Sequence, residues 1–200
     1  MTFLLTKITF IAYLIWALPS LAINNGEKAI AFSLFSHTNE QINLENFKGK
    51  TIVLEWFNKG CPFVKKFYES KSMQKWQGEL TQQGIIWLTI SSSAHGKQGF
   101  ETVTEVSETR KNWKISSTYN LLDHDGKVGK LYEAKTTPHI YVIDKNFNLV
   151  YQGAIDSILS TDQEDIPKAE NYLLKAIEDL ANNRSVKIAK TKPYGCSVKY

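Results

Sequence analysis

The chain has 200 residues, 42% of them hydrophobic and 22% charged, which fits one globular domain with short extensions. A net charge of +4, thinly scattered, does not specify a nucleic-acid surface, and no repeat, glycine-rich phosphate loop or serine elbow is present. The histidines and cysteines lack zinc spacing, and Asp123-His124-Asp125-Gly126 lacks the glycine and glutamate positions of a calcium loop, so no metal or other cofactor is expected.

Lys7 precedes an apolar run from Ile8 to Leu18, followed by Pro19-Ser20-Leu21-Ala22. The run is short for a membrane span, which needs about 20 residues, and small residues stand at the third and first positions before a cut after Ala22. Residues 1–22 therefore read as a signal peptide. The mature chain, 23–200, reads as a single domain exported to the periplasm or secreted, without stable membrane insertion after cleavage.

Asn24 to Lys28 is a polar lead-in, and Ala29 to Phe35 with Gln41 to Leu44 form a short strand pair around His37-Thr38-Asn39. Thr51 to Phe57 is rich in β-branched and aromatic residues and reads as a buried strand. Asn58-Lys59-Gly60 breaks it and Cys61-Pro62 opens a helix, since proline suits the first helical turn. A second helix spans Ser72 to Gln83, Ile85 to Ile90 is a second buried strand, and Glu101 to Trp113 is helical. Tyr119 to Leu122 is a strand and Lys127 to Glu133 a short helix. His139 to Ile143 and Leu149 to Gln152 form a hairpin around Asp144-Lys145-Asn146. The left-handed turn position there is expected to fall on Asn146, not on Phe147, because asparagine tolerates that backbone better. Ala169, Tyr172, Leu173, Ala176, Ile177 and Leu180 make one apolar face of a closing helix entered through Pro167. The order is that of an α/β sandwich. The lysines after Arg184 read as a solvated, loosely packed tail.

Cys61 falls at the N-cap of its helix, where backbone N–H groups and the dipole favour an anion. Lowering a thiol pKa from about 8.5 to about 6.5 raises the thiolate fraction at pH 7 from about 3% to about three quarters. A catalytic role requires that sulfur to reach solvent and to lie beside Thr136-Thr137-Pro138; a buried, inert cysteine is the alternative. Glu55, six residues upstream, either is a buried carboxylate able to take and return a proton near the thiols or simply faces water. Lys65 and Lys66, one turn past the cysteine, read as a solvated face. Cys196 is the second cysteine. A bond between the two would close a loop of about 135 residues and stabilise the fold by about 5 kcal/mol. Whether that bond is permanent, cyclic or absent stays open.

The runs Gly60 to Lys66, Leu121 to Gly126, Lys135 to Asp144, Val150 to Asp156 and Tyr194 to Tyr200, in that order, resemble the thioredoxin fold. The resemblance is to its peroxiredoxin-like branch, grouped with the alkyl hydroperoxide reductase/thiol-specific antioxidant proteins. It implies a central mixed β-sheet with helices on both faces, Pro138 as a cis-proline opposite Cys61, and Glu55 at the buried carboxylate position. Departures are as informative. Val64 stands where Cys-x-x-Cys has its second cysteine, and Leu54, Asn58 and Pro138 stand where peroxiredoxins carry a proline, a threonine or serine and an arginine. The expected activity is that of an exported thiol-disulfide oxidoreductase, an antioxidant redoxin. Cys61 is the nucleophile, Cys196 the resolving cysteine, and Thr137 the backbone edge for the bound thiol. Its partners are a thiol or disulfide protein or small molecule, peroxide as a further candidate, and an external thiol reductant, with no nucleic acid. Slow peroxide reduction at Cys61, or a non-catalytic module stapled by Cys61–Cys196, are the alternatives.

Overall fold

Seven strands form one mixed sheet in a computed structural model that describes residues 23–200; the expected signal peptide lies outside the described residues. Its strands are β1 (Ser33–Ser36), β2 (Gln41–Asn43), β3 (Ile52–Trp56), β4 (Ile86–Ser91), β5 (Tyr119–Leu122), β7 (His139–Ile143) and β8 (Leu149–Gly153), ordered β2-β1-β5-β4-β3-β7-β8. A separate two-stranded ribbon joins β6 (Thr136–Thr137) to β9 (Cys196–Ser197). β3 runs parallel to β4 and antiparallel to β7, so the most apolar runs occupy the centre, where both sheet faces are covered.

Period-two alternation divides the side chains of these strands between two cores. Val53, Phe57 and Trp87 point to one layer, packed by α1 (Pro62–Glu69), α2 (Ser72–Gln82) and α5 (Tyr172–Ala181) and flanked by Trp113 of α3 (Val103–Trp113). Ile52, Leu54, Trp56, Leu88 and Ile90 point to the other, covered by α4 (Lys127–Leu131), Tyr132 and the N-terminal lead-in. Helices thus lie on both faces, as the sequence indicated. Among the described residues no helix is long and apolar enough to cross a membrane. The pairing of Trp56 with His139 brings the Thr137–Pro138 bond, which is cis, next to the end of β3 from which the Cys61 loop departs.

Four local expectations are corrected. α5 starts after Asn171, not at Pro167, because the Asn171 side chain caps the helix by accepting from the Leu174 N–H at 2.9 Å. Lys66 is buried, at 1% exposure, not part of a solvated face. The tail after Arg184 is not loosely packed: Lys190 bridges to Gln152, Tyr194 is buried, and β9 pairs with β6. Phe147, not Asn146, takes the left-handed backbone, with φ 66°. Its N–H donates to Asp144 O at 2.9 Å, its carbonyl accepts from Ala29 at 2.8 Å, and its ring is buried in the lower core. The burial of a large ring outweighs a backbone penalty of about 1–2 kcal/mol.

The alternation that buries Ile52, Leu54 and Trp56 on one side carries Glu55 into the other core, at 0% exposure. Its carboxylate accepts from Tyr68 Oη (2.9 and 3.1 Å), Trp87 Nε1 (2.8 Å), Gln77 Nε2 (3.1 Å) and Thr89 Oγ1 (3.3 Å). Burial pushes this carboxyl up to about 7, against the opposing pull of those four donors.

In the unfolded chain the Glu55 group titrates near 4.5, so between there and pH 7 only the unfolded state gives up the proton. Stability from this group is complete below the lower value and falls by about 3 kcal/mol as pH rises through the higher one. Urea denaturation across that window should show the decline in the wild type and lose it in Glu55→Gln; equal slopes would contradict the assignment. At the hairpin, Phe147→Ala should cost about 3–4 kcal/mol, and Phe147→Gly about 1 kcal/mol less than alanine, since glycine relieves the left-handed backbone. Alanine proving the milder change would count against a strained turn.

Candidate active site

Asn58 builds the loop that delivers Cys61. Its side-chain carbonyl accepts from the Gly60 N–H at 2.8 Å, its backbone carbonyl accepts from the Cys61 N–H at 3.0 Å, and its amide donates to Gln98 O at 3.0 Å. Gln98 returns a bond to Gly60 O at 3.1 Å, so the segment after β4 clamps the cysteine loop from outside. Cys61 then occupies the N-cap in extended conformation (φ −81°, ψ 123°), with Pro62 in the first turn of α1.

The Cys61 thiol lies 3.0 Å from Thr137 O, to which it donates. Burial pushes the Cys61 thiol up, but hydrogen bonds from the side chains of Cys196 and Thr137 and from the Cys196 and Val64 backbone outweigh it, leaving the thiol below its ordinary value. Cys196 moves the other way, up to about 11, through burial, its hydrogen bond to Cys61 and the repulsion of the Cys61 charge, with Lys199 opposing. Of the two sulfurs, Cys61 is the more acidic. Both cysteines are free thiols in this structure.

The second sulfur arrives on β9. Cys196 is the register partner of Thr137, and Ser197 that of Thr136, in antiparallel pairing. Gly195 makes the approach feasible: its φ is 131°, and a Cβ there would stand 2.1 Å from Thr137 O. Beyond Cys196 the tail is tied at three points. The Val198 N–H donates to Lys135 O at 3.2 Å, Lys199 O accepts from Ala94 at 2.8 Å, and Tyr200 Oη donates to Ala134 O at 2.7 Å.

Of the residues singled out from sequence, Cys61, Thr137, Pro138 and Cys196 come together. Glu55 does not join them: among the described residues no hydrogen bond links it to either sulfur, and its partners are Tyr68, Gln77, Trp87 and Thr89. The requirement for an open sulfur is not met either, because Cys61 has 0% exposure, with Cys196 packed against its cluster. β9 of the tail pairs along Thr137, beside that sulfur. Asn58, Gly195 and Tyr194 were not recognised as site residues. The glycine directly before Cys196 was a readable signal; Asn58 had none beyond its place in a turn.

An AhpC/TSA family profile matches residues 25–152, ending before α5 and the Cys196 tail. No curated protein matches the sequence. Among solved structures, an uncharacterized conserved protein from Geobacillus kaustophilus superposes with a TM-score of 0.76 at 21% identity, covering 89% of this chain and 93% of its own. A hypothetical protein from Sinorhizobium meliloti gives 0.75 at 23% identity, covering 90% and 96%. A thiol:disulfide interchange protein from Bacteroides sp. gives 0.58 at 18% identity, covering 80% and 91%. At such identities these likenesses establish the thioredoxin-like fold alone. The family match covers well over half of the sequence, and the chain belongs to the AhpC/TSA family as a thioredoxin-fold redoxin.

Proposed function

We propose that this redoxin is an exported thiol-disulfide oxidoreductase that cycles between a Cys61/Cys196 dithiol and a Cys61–Cys196 disulfide. The observation that carries this reading is the convergence of both thiols on Thr137, one bonded to its carbonyl at 3.0 Å and the other facing it across β6–β9. The apolar leader of residues 1–22 supports export, and an oxidising compartment would let the disulfide persist.

In the reductive direction Cys61 gives up its proton while Cys196 is docked against it; β9 then leaves β6, and the Cys61 thiolate attacks one sulfur of a substrate disulfide. A mixed disulfide forms and the other substrate sulfur departs as a thiolate. When β9 returns, Cys61 in the mixed disulfide carries no negative charge, which in the docked dithiol is one of the causes holding the Cys196 proton. Cys196 then ionises, with Lys199 favouring the thiolate, and attacks Cys61 Sγ. The Cys61–Cys196 bond forms, the second substrate thiolate is released, and two electrons have passed to the substrate. An external dithiol restores the enzyme by the reverse exchange. Pro138 and Thr137 present the backbone edge on which the substrate strand replaces β9.

Peroxide is the weaker substrate. Both arginines of the chain are engaged with other groups, Arg110 with Ser117 and Asn120 and Arg184 with Asp179, and polarising an O–O bond calls for a cation at the sulfur.

Incubated with a model disulfide, Cys196→Ser should accumulate a mixed disulfide on Cys61, while Cys61→Ser should lose reductase activity by at least 100-fold. The Cys61/Cys196 couple should have a reduction potential well above about −300 mV, the range of structural disulfides in secreted proteins. Full activity in Cys61→Ser would end the catalytic reading, and a potential below about −300 mV would favour the permanent staple.

A further inference from the structure

The segment that brings in Cys196 is held, two residues upstream, by three buried polar side chains from three parts of the fold. Tyr194 Oη donates a short hydrogen bond to Asp156 Oδ1. Asp156 Oδ2, buried and without a hydrogen bond among the described residues, lies 3.5 Å from Lys66 Nζ, and both side chains of that ion pair are almost fully covered. Lys66 also donates to Ile158 O and Ser160 Oγ, each at 3.3 Å. The Tyr194 ring packs edge-on against Phe63, centroids 5.8 Å apart. Phe63 and Lys66 both belong to α1, the helix whose N-cap is Cys61. The tyrosine therefore fixes the tail to the same rigid element that carries the first sulfur.

Stability alone gives little reason for this arrangement. Burying an ammonium and a carboxylate costs several kcal/mol per ion before their attraction repays it, and an apolar replacement often does as well. A hydrogen-bonded clasp supplies direction, which apolar packing does not. Exchange between two sulfurs on distant parts of the chain depends on direction, because misplacement by about 1 Å can reduce an intramolecular rate 100-fold. Residues 189–191 are tied to β8, the Gln152 N–H donating to Ala189 O at 3.0 Å and the Thr191 N–H to Gln152 O at 3.1 Å, and the clasp is the hold nearest Cys196 on its N-terminal side.

We propose that Lys66, Asp156 and Tyr194 are positioning residues that set the approach of the Cys196 sulfur to Cys61. The proposal rests on the exchange cycle of the preceding subsection. The test uses oxidised glutathione in two steps. Cys61 thiolate first attacks the glutathione disulfide, gaining one glutathione and expelling the other as thiolate. Cys196 thiolate then attacks Cys61 Sγ and expels the second glutathione. The first step is read alone in a Cys196→Ser background, and closure by quenching and mass analysis of the full pair.

Tyr194→Phe keeps the ring on Phe63 and removes only the hydroxyl. It should slow closure by at least 10-fold while the first step stays within about 2-fold of its parent. Asp156→Asn, which keeps an acceptor for Tyr194, should close faster than Asp156→Ala. Closure by Tyr194→Phe within 2-fold of the wild type, in protein with an unchanged circular dichroism spectrum, overturns the clasp. An equal loss in both steps overturns it too, since Tyr194 would then act on Cys61 itself. A wild type that takes up glutathione on Cys61 and never closes instead rejects the exchange cycle.

Discussion

The pairing of Thr137 with Cys196 is the constraint on which the rest of the site depends. It is a ribbon of only two residues per strand, yet it decides where the second sulfur sits, why Cys61 is covered, and which thiol is acidic. An extended strand laid on an exposed sheet edge satisfies its own backbone donors and acceptors while leaving side chains in fixed alternation. Here the added strand comes from the same chain, so the Thr137 edge is paired and the second cysteine is brought beside the first by one ribbon. Gly195 is the steric condition for this, since any side chain would run into the Thr137 carbonyl.

That arrangement resolves an apparent conflict in the electrostatics. Complete burial should keep a thiol protonated, and for Cys61 it is the largest single influence. The opposing pull comes from several donors converging on one sulfur, two of them from Cys196. A negative charge on Cys61 is therefore stabilised chiefly by Cys196. Glu55 shows the opposite balance: four donors are insufficient against total burial, and its carboxyl stays well above its ordinary value. The difference lies in chemistry as well as location, because a thiol begins closer to neutrality than a carboxyl does, and a smaller net preference decides its state near pH 7.

Much of the architecture was legible because periodicity and punctuation are local. The β-branched run of β3, the Gly-Cys-Pro junction and the alternation around Glu55 each specify an element from a few adjacent residues. The start of α5 was misread at Pro167 because a proline signal is conspicuous, while a capping asparagine at Asn171 works through one hydrogen bond. Phe147 was misread for the converse reason: backbone preference is local, and the core that buries its ring is assembled from distant segments. Lys66 and the tail were hardest to read. Nothing near Lys66 announces that Asp156 and Tyr194 will meet it, and a run of lysines resembles a solvated terminus until its intervening residues find partners.

The central claim is that Cys61 is more acidic than an ordinary cysteine because Cys196 is docked against it. The most direct measurement is the pH dependence of Cys61 alkylation, followed by peptide mass analysis, in wild type and in Cys196→Ser. The account predicts a midpoint below about 8.5, the value of an unperturbed thiol, and a shift upward once Cys196 is removed. A midpoint at or above the unperturbed value, unmoved by the substitution, would contradict it.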